Sequence, residues 1–306
     1  MTPWRLIADV GGTNVRFARV FDGLVVAERR AYQGARFESF IHAMRVYAAE
    51  TGGFRGCASV AIGAAGPVEA GEIHLTNIAW TIREAEIEAE AGAPCTLLND
   101  VEAAAYCALT LSEPDYALLS GPAPDLSRAR RLLIANIGTG FGAAALFKVA
   151  NVWVSCPSEA GHMSLRLPDA AAAGLRSAFP SVEHALSGRG IAHLHAALLG
   201  RDDGLGARSI CANAAHDPAA AATVRLFAEI TGSVLGDLTL AYTAWDGVFL
   251  VGSVARGCAA FDPGAMRAAF EAKGPMSARL KRVPIALMLK EDPAFFGLAI
   301  APVRAR

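Results

Sequence analysis

The hydrophobic pattern of the chain repeatedly switches period. Trp4-Arg5-Leu6-Ile7-Ala8 reads as a short strand that runs into Asp9-Val10-Gly11-Gly12-Thr13-Asn14. Val15–Val20 then alternates apolar and polar residues in the period-2 manner of a second strand. Asp22-Gly23 punctuates, and Leu24–Ala31 reads as a third strand. A helix is predicted over Phe37–Glu50 and a buried strand over Cys57–Ile62. Leu97-Leu98 ends another strand, and Asn99-Asp100 stands where an N-cap belongs, ahead of a helical run over Val101–Leu111. Ser112–Ser127 is rich in Pro, Gly, Ser and Asp and marks a boundary or hinge.

Beyond that boundary the opening pattern returns. Leu132–Asn136 reads as a strand, meets the turn Gly138-Thr139-Gly140-Phe141-Gly142, and a strand follows. Two glycine turns in the same surroundings hint at a duplication, although no longer repeat is visible. The rest is helix-rich, over Ala192–Leu199, Pro218–Thr243 and Pro263–Lys273, interrupted by strands at Gly247–Val251 and Pro284–Leu289. The tail Pro293–Arg304 reads as a helix.

Composition narrows the classes. With 306 residues, 53% of them hydrophobic and 19% charged, the chain can bury a large core and is long enough for two domains. The net charge of −1, and basic runs no longer than Arg128–Arg131 and Lys281-Arg282, argue against a nucleic-acid partner. The apolar stretch Leu132–Phe147 contains Asn136, Thr139 and three glycines, and so reads as strand–turn–strand rather than a membrane span. Arg5 and Asp9 leave no apolar region for a signal peptide, so the expectation is a soluble cytoplasmic protein without membrane partners. The six cysteines have no zinc-like spacing and are expected to be reduced thiols.

A glycine turn after a strand can cradle phosphate, because backbone N–H groups approach without a Cβ in the way. No G-x-x-x-x-G-K-[ST] string occurs, and Val15–Val20 reads as a strand where the dinucleotide motif needs a helix. What remains is a hairpin turn with Asp9 just ahead of its glycines, where a carboxylate can hold Mg²⁺ or its water shell beside phosphates.

Asp9-x-Gly11-Gly12-Thr13 and Gly138-Thr139-Gly140-x-Gly142 resemble the two phosphate loops of the actin/hexokinase/heat-shock-chaperone ATPase fold. More narrowly, the chain resembles the bacterial glucokinase family, in its non-ROK branch. The strings that carry this are Leu75-Thr76-Asn77-x-x-Trp80, Leu98-Asn99-Asp100, Ser158-Glu159-Ala160-Gly161-His162 and Glu183-x-x-Leu186-Ser187-Gly188-x-Gly190. Gly247-Val248-Phe249-Leu250-Val251-Gly252 and Arg267-Ala268-Ala269-Phe270-Glu271-x-Lys273-Gly274 complete the series. The cysteine-rich zinc motif of the ROK branch is missing.

The resemblance implies an α/β, two-domain actin-like ATPase (ribonuclease H-like) fold with its active site in the interdomain cleft. Residues 1–110 plus 290–306 would form the small domain and 111–289 the large one. It implies a glucokinase using ATP and Mg²⁺, with Asp100 as catalytic base and Asn99, Asp100, Glu159, His162 and Glu183 binding glucose. ATP would be met by Ala8, Asp9, Val10, Gly11, Gly12 and Thr13, by Gly138, Thr139 and Gly140, and by Gly252, with Asp9 on the metal through water. A homodimer is also implied. A kinase for another hexose and a non-catalytic sugar-binding regulator are the rival readings. Ser158, Ala160 and Ser253 stand where the family has glycines, and Asn136 replaces a small residue.

Overall fold

A computed structural model of the chain describes residues 2–75, 78–167, 175, 178–258 and 262–303. Thr76 and Asn77, within one of the family-like strings, lie outside the described residues. The chain divides into two compact units, the first formed by Met1–Thr110, Val152–Ser155 and Glu291–Arg306, the second by Leu111–Asn151 and Cys156–Lys290. Assignment of Val152–Ser155 to the first unit is a feature the sequence does not announce.

In the first unit, β1 (Trp4–Val10), β2 (Asn14–Phe21), β3 (Val25–Gln33), β4 (Cys57–Ala64) and, after the small ribbon β5 (Glu72–His74) and β6 (Thr81–Arg83), β7 (Cys95–Asn99) supply the strands. The five-stranded sheet has the order β3-β2-β1-β4-β7, with β1, β4 and β7 parallel and the β1–β2 hairpin antiparallel. Central β1 is apolar almost throughout, with Leu6, Ile7 and Ala8 fully buried, as a strand covered on both faces requires. Phe17 of β2 stacks on Tyr47 at 5.1 Å and lies 5.6 Å from Phe40, both on the helix Phe40–Thr51. That helix starts later than predicted because Ser39 caps it, accepting from His42 N, and it ends on Gly52 at φ +86°.

The helix predicted over Val101–Leu111 spans Asp100–Cys107 and ends in the 3₁₀ turn Ala108–Thr110. The C-terminal helix is Pro293–Ile300, shorter than expected, and Arg5 closes it by donating from Nη1 to the carbonyls of Leu298, Ala299 and Ala301. The two helices touch where Gly297 lies so near Ala103 that an added Cβ would fall 1.6 Å from the Ala103 carbonyl oxygen.

In the second unit the presumed hinge Ser112–Ser127 contains β8 (Tyr116–Ser120), hidden in the sequence by its turn-rich flanks. It is followed by β9 (Arg131–Ile137), β10 (Phe141–Val149), β11 (Val152–Ser158, of which Cys156–Ser158 belong to this unit), β12 (Val248–Val251) and β13 (Ile285–Met288). The sheet order is β11-β10-β9-β12-β13-β8, with β9, β12 and β13 parallel. The 25-residue helix Pro218–Tyr242 carries two interior glycines because another helix, Pro263–Glu271, crosses there. A Cβ on Gly232 would fall 2.0 Å from the Met266 carbonyl oxygen, and one on Gly236 2.6 Å from that of Phe270.

Cys57, Cys95, Cys107 and Cys156 are free thiols, whereas Cys211 is disulfide-bonded, which corrects the expectation of six reduced thiols. Linear spacing carries no record of which thiols tertiary folding brings together. Among the described residues no helix is long and apolar enough to cross a membrane.

Candidate active site

The first unit gathers its predicted residues at the carboxyl ends of parallel strands, the edge where open α/β sheets bind ligands. Strand register sets Asp9 beside Gly63 and Ala64 beside Asn99, so the Asp9 turn and Asn99-Asp100 share one sheet edge, two strands apart. At the usual strand spacing that is roughly 10 Å. Ala8 and Val10 are buried in the core, so only their backbone can meet a ligand. Gly12 and Thr13 are exposed, and Gly11 N closes the turn on Asn14 O at 2.9 Å. A Cβ on Gly11 would meet only ordinary contact, 3.6 Å to Asn14 O, and its φ is not in the left-handed region. The fold itself therefore does not demand glycine there, whereas a closely approaching ligand would.

Asp9 is buried and pairs across the hairpin with Arg16, Nη2 to Oδ2 at 2.7 Å. Burial outweighs the guanidinium and raises the Asp9 carboxyl above the usual carboxylate range. A hard oxygen donor whose charge is incompletely offset suits a hydrated Mg²⁺. No cluster of three or more His, Cys, Asp or Glu among the described residues could hold a metal. An ion at Asp9 would therefore take most of its ligands from phosphate and water, the usual manner of Mg²⁺ in phosphoryl-transfer sites.

Asn99 is the N-cap of the helix Asp100–Cys107. Its Oδ1 accepts from Val101 N at 2.7 Å while Glu102 Oε2 accepts from Asn99 N at 3.1 Å, a capping box. Asn99 Nδ2 donates to Gly66 O at 3.1 Å, leaving one amide N–H for a ligand. Half-buried Asp100 accepts from Val101 N through Oδ1 at 2.9 Å. Behind the cap, buried Glu102 accepts from Ser155 Oγ at 2.7 Å, and Ser155 N donates to the Tyr106 hydroxyl at 3.0 Å. Glu102, Ser155 and Tyr106 thus fix the helix start that presents Asp100. Neither was predicted: Glu102 carries a local signal, Asn-x-x-Glu, and Ser155 carries none.

The second unit builds around Phe141. Gly138 N closes its turn on Gly140 O at 3.0 Å, and Gly188 N donates to Gly138 O at 2.9 Å. Glu183, on the short helix Val182–Ala185, accepts from Phe141 N at 3.0 Å through Oε2. A Cβ on Gly140 would fall 2.4 Å from that oxygen, and one on Gly161 2.4 Å from Phe141 O. The turn carrying Glu159 and His162 is thereby seated on the same residue. Both side chains are exposed, with His162 Nε2 3.9 Å from Glu159 Oε2. Ser158 Oγ donates to Ala143 O at 2.8 Å and Ala160 is buried, so the two departures from the family pattern are absorbed into packing.

Thr139 is exposed at the turn tip. Gly252 follows β12 with φ +103°, and its added Cβ would fall 2.4 Å from both Asn136 Oδ1 and Ile137 O. Asn136 therefore has a physical role: its amide lies against the one residue type that fits there. Ser253 opens the helix Ser253–Cys258. A cavity of about 210 Å³ beside Glu183 is lined also by His184, Ser187, Arg189 and His193. Arg189, exposed in the first turn of the helix Gly188–Leu199, is the x of Ser-Gly-x-Gly and was not singled out in the sequence.

The fold and these turns define an ATP-dependent sugar kinase with the two-domain actin-like ATPase fold. A family model described as Glucokinase matches residues 6–304, and the chain belongs to the glucokinase family. A glucokinase of Caulobacter sp. (strain K31) is 34% identical, over 97% of this chain and 94% of its own length. That of Mesorhizobium japonicum is 31% identical, over 96% and 90%. The crystal structure of a glucokinase from an Antarctic psychrotroph shares 30% identity, covers 98% of both chains and superposes with a TM-score of 0.84.

Proposed function

We propose that the chain transfers the γ-phosphoryl group of ATP to the 6-hydroxyl of glucose, with Asp100 as the general base. The observation that carries this reading is the shared sheet edge of the Asp9 turn and the Asn99-Asp100 cap. Val101 N donates to one Asp100 oxygen, which restricts the rotation of the proposed base. As the hydroxyl oxygen bonds to phosphorus, Asp100 takes its proton and the bond to the β-phosphate oxygen breaks, releasing ADP. Such general-base help is worth about 10²–10⁴ in rate.

Asn99 offers its remaining N–H to a sugar hydroxyl. Glu183 keeps Oε1 for the sugar while Oε2 holds Phe141 N, so one side chain ties sugar recognition to the second phosphate turn. Glu159 accepts from hydroxyls, and His162 donates or accepts. The turn N–H groups of Gly12, Thr13, Thr139 and Gly140, with the two threonine hydroxyls, meet phosphate oxygens. Backbone at Gly252 lies against the nucleoside. Asp9 would hold Mg²⁺ through its water shell, and the ion would supply charge to offset what builds on the phosphates.

A cytoplasmic homodimer belongs to the same proposal, on the strength of the family resemblance, and light scattering tests the dimer. The functional test is ADP formation with ATP and Mg²⁺ across glucose, fructose, mannose and glucosamine. Glucose should give the highest kcat/KM. If another hexose leads, the specificity changes; if none yields ADP, a sugar-binding regulator replaces the enzyme.

A further inference from the structure

Arg16 serves two carboxylates. Nη2 pairs with Asp9 Oδ2 and Nη1 with Asp292 Oδ1, each at 2.7 Å. Asp292 also takes Arg29 on its other oxygen, and both guanidiniums lie over the Phe295 ring, at 5.9 Å for Arg16 and 4.7 Å for Arg29. An arginine left with one carboxylate prefers the parallel two-bond fork that occupies both carboxylate oxygens. Here the fork is split. Asp9 Oδ1 makes no hydrogen bond among the described residues.

Asp292 bears the marks of a residue held for this purpose. It precedes Pro293 at the start of the helix Pro293–Ile300, where an Asp normally caps the helix through its side chain. Its side chain makes no cap, and its backbone sits at φ +47°, ψ +52°, a left-handed conformation that non-glycine residues rarely adopt. Strain of this kind persists where surrounding contacts over-determine it. Two arginines and the Phe295 ring do so here. Burial pushes the Asp292 carboxyl up, but the hydrogen bonds and charges of Arg29 and Arg16 hold it below its usual range.

We propose that Asp292 is a positioning residue that draws one arm of Arg16 away from Asp9, keeping Asp9 Oδ1 open for the water shell of the nucleotide's Mg²⁺. This rests on the reading of Asp9 as the partner of that ion. Without Asp292, Arg16 closes on both Asp9 oxygens and competes with the ion. Arg29 steadies Asp292 but does not reach Asp9, so its loss leaves the split in place.

The readout is equilibrium binding of ADP with Mg²⁺ and with EDTA, by calorimetry on the full chain, in which no turnover occurs. The quantity compared is the affinity advantage that Mg²⁺ confers. Asp292→Asn should shrink that advantage about tenfold, the range of outer-shell changes at metal sites, with the affinity for metal-free ADP unchanged. Arg29→Gln should leave it unchanged. Arg16→Gln, which cannot form the fork, should retain the advantage, and the double variant Asp292→Asn/Arg16→Gln should match Arg16→Gln.

An unchanged advantage in Asp292→Asn, or a double variant as impaired as Asp292→Asn, overturns the proposal. Equal weakening with and without Mg²⁺ also overturns it, because that is the behaviour of a merely structural residue. Should Asp292→Asn not fold, the double variant against Arg16→Gln decides alone: equal advantages support the proposal and a lower one in the double variant removes it. Asp9→Asn separates the two levels. If it leaves the Mg²⁺ advantage intact, the reading of Asp9 fails as well; if it abolishes the advantage while Asp292→Asn does not, only the role of Asp292 fails.

Discussion

The two units are variations on one frame. Leu6-Ile7-Ala8-Asp9-Val10 in β1 corresponds to Leu133-Ile134-Ala135-Asn136-Ile137 in β9, each ending at a glycine turn that opens an antiparallel hairpin. Each hairpin has an outer strand on one side and two parallel strands on the other, giving β3-β2-β1-β4-β7 and β11-β10-β9-β12-β13. The difference lies in one position. Asp9 faces Arg16 across its hairpin, whereas Asn136 faces Gly142 and lies against Gly252. One copy of the frame holds a buried acid with its own counter-cation, suited to an ion. The other holds a neutral amide and brings backbone close to whatever binds. On the proposed reading, the same turn would serve two kinds of chemistry through a single carboxylate and its partner.

Exchanging the two residues tests that contrast most strongly. Asp9→Asn gives the first turn the character of the second, and activity at limiting Mg²⁺ should fall about 10–100-fold, as for outer-shell metal partners. Titrating Mg²⁺ in a coupled assay checks it; a normal Mg²⁺ dependence would dissolve the distinction between the turns. The reverse change, Asn136→Asp, places a partly buried carboxylate opposite a glycine with no arginine to meet it. It should cost about 1–3 kcal/mol of stability, read by denaturant unfolding. No loss would mean that Arg16 is not what makes the acid tolerable in the first unit.

Interior glycines at helix crossings sharpen the comparison further. Gly297→Ala and Gly232→Ala each force a Cβ into a facing carbonyl, and each should destabilise by about 1–3 kcal/mol. Only Gly297 seats the helix that begins at Asp100, so only Gly297→Ala should also lower kcat in the folded fraction. Equal kcat effects would break the assignment of the base to the first unit.

The smallest effect concerns acid stability. Because the Asp292 carboxyl is held below its usual range, it stabilises the folded state above that range and loses this as pH falls through its lowered value. Being partly solvent-screened, the contribution is small. Asp292→Asn should lower Tm by about 1–3 °C at pH 7. The gap should close as the pH is taken below the usual carboxylate range; a gap that widens in acid would reverse the sign.

Local signals carried much of this architecture. Strand–glycine–strand patterns located both hairpins, and Asn99-Asp100 marked the helix start, though its capping partner Glu102 was not predicted. What resisted reading depends on distance along the chain. Arg16 reaches Asp292 across 276 positions, and Ser155 reaches Glu102 across 53, so neither partnership leaves a periodic trace. Strand β8 was masked by its proline- and glycine-rich flanks. The helix Glu84–Ala91 was overlooked because its alternating Glu and Ala residues offer little apolar face. The glycines at 140, 161 and 252 were visible as letters, but their need was not: each is fixed by an oxygen supplied from elsewhere in the fold.

Asp100 is the group proposed to accept the sugar's proton. Asp100→Asn keeps the side chain's size and an oxygen to accept from Val101 N, while removing the base. Its kcat, measured by coupled ADP release beside calorimetric glucose binding, should drop about 10²–10⁴-fold with glucose affinity changed only a few-fold. A variant that turns over at a near-normal rate would contradict the assignment outright.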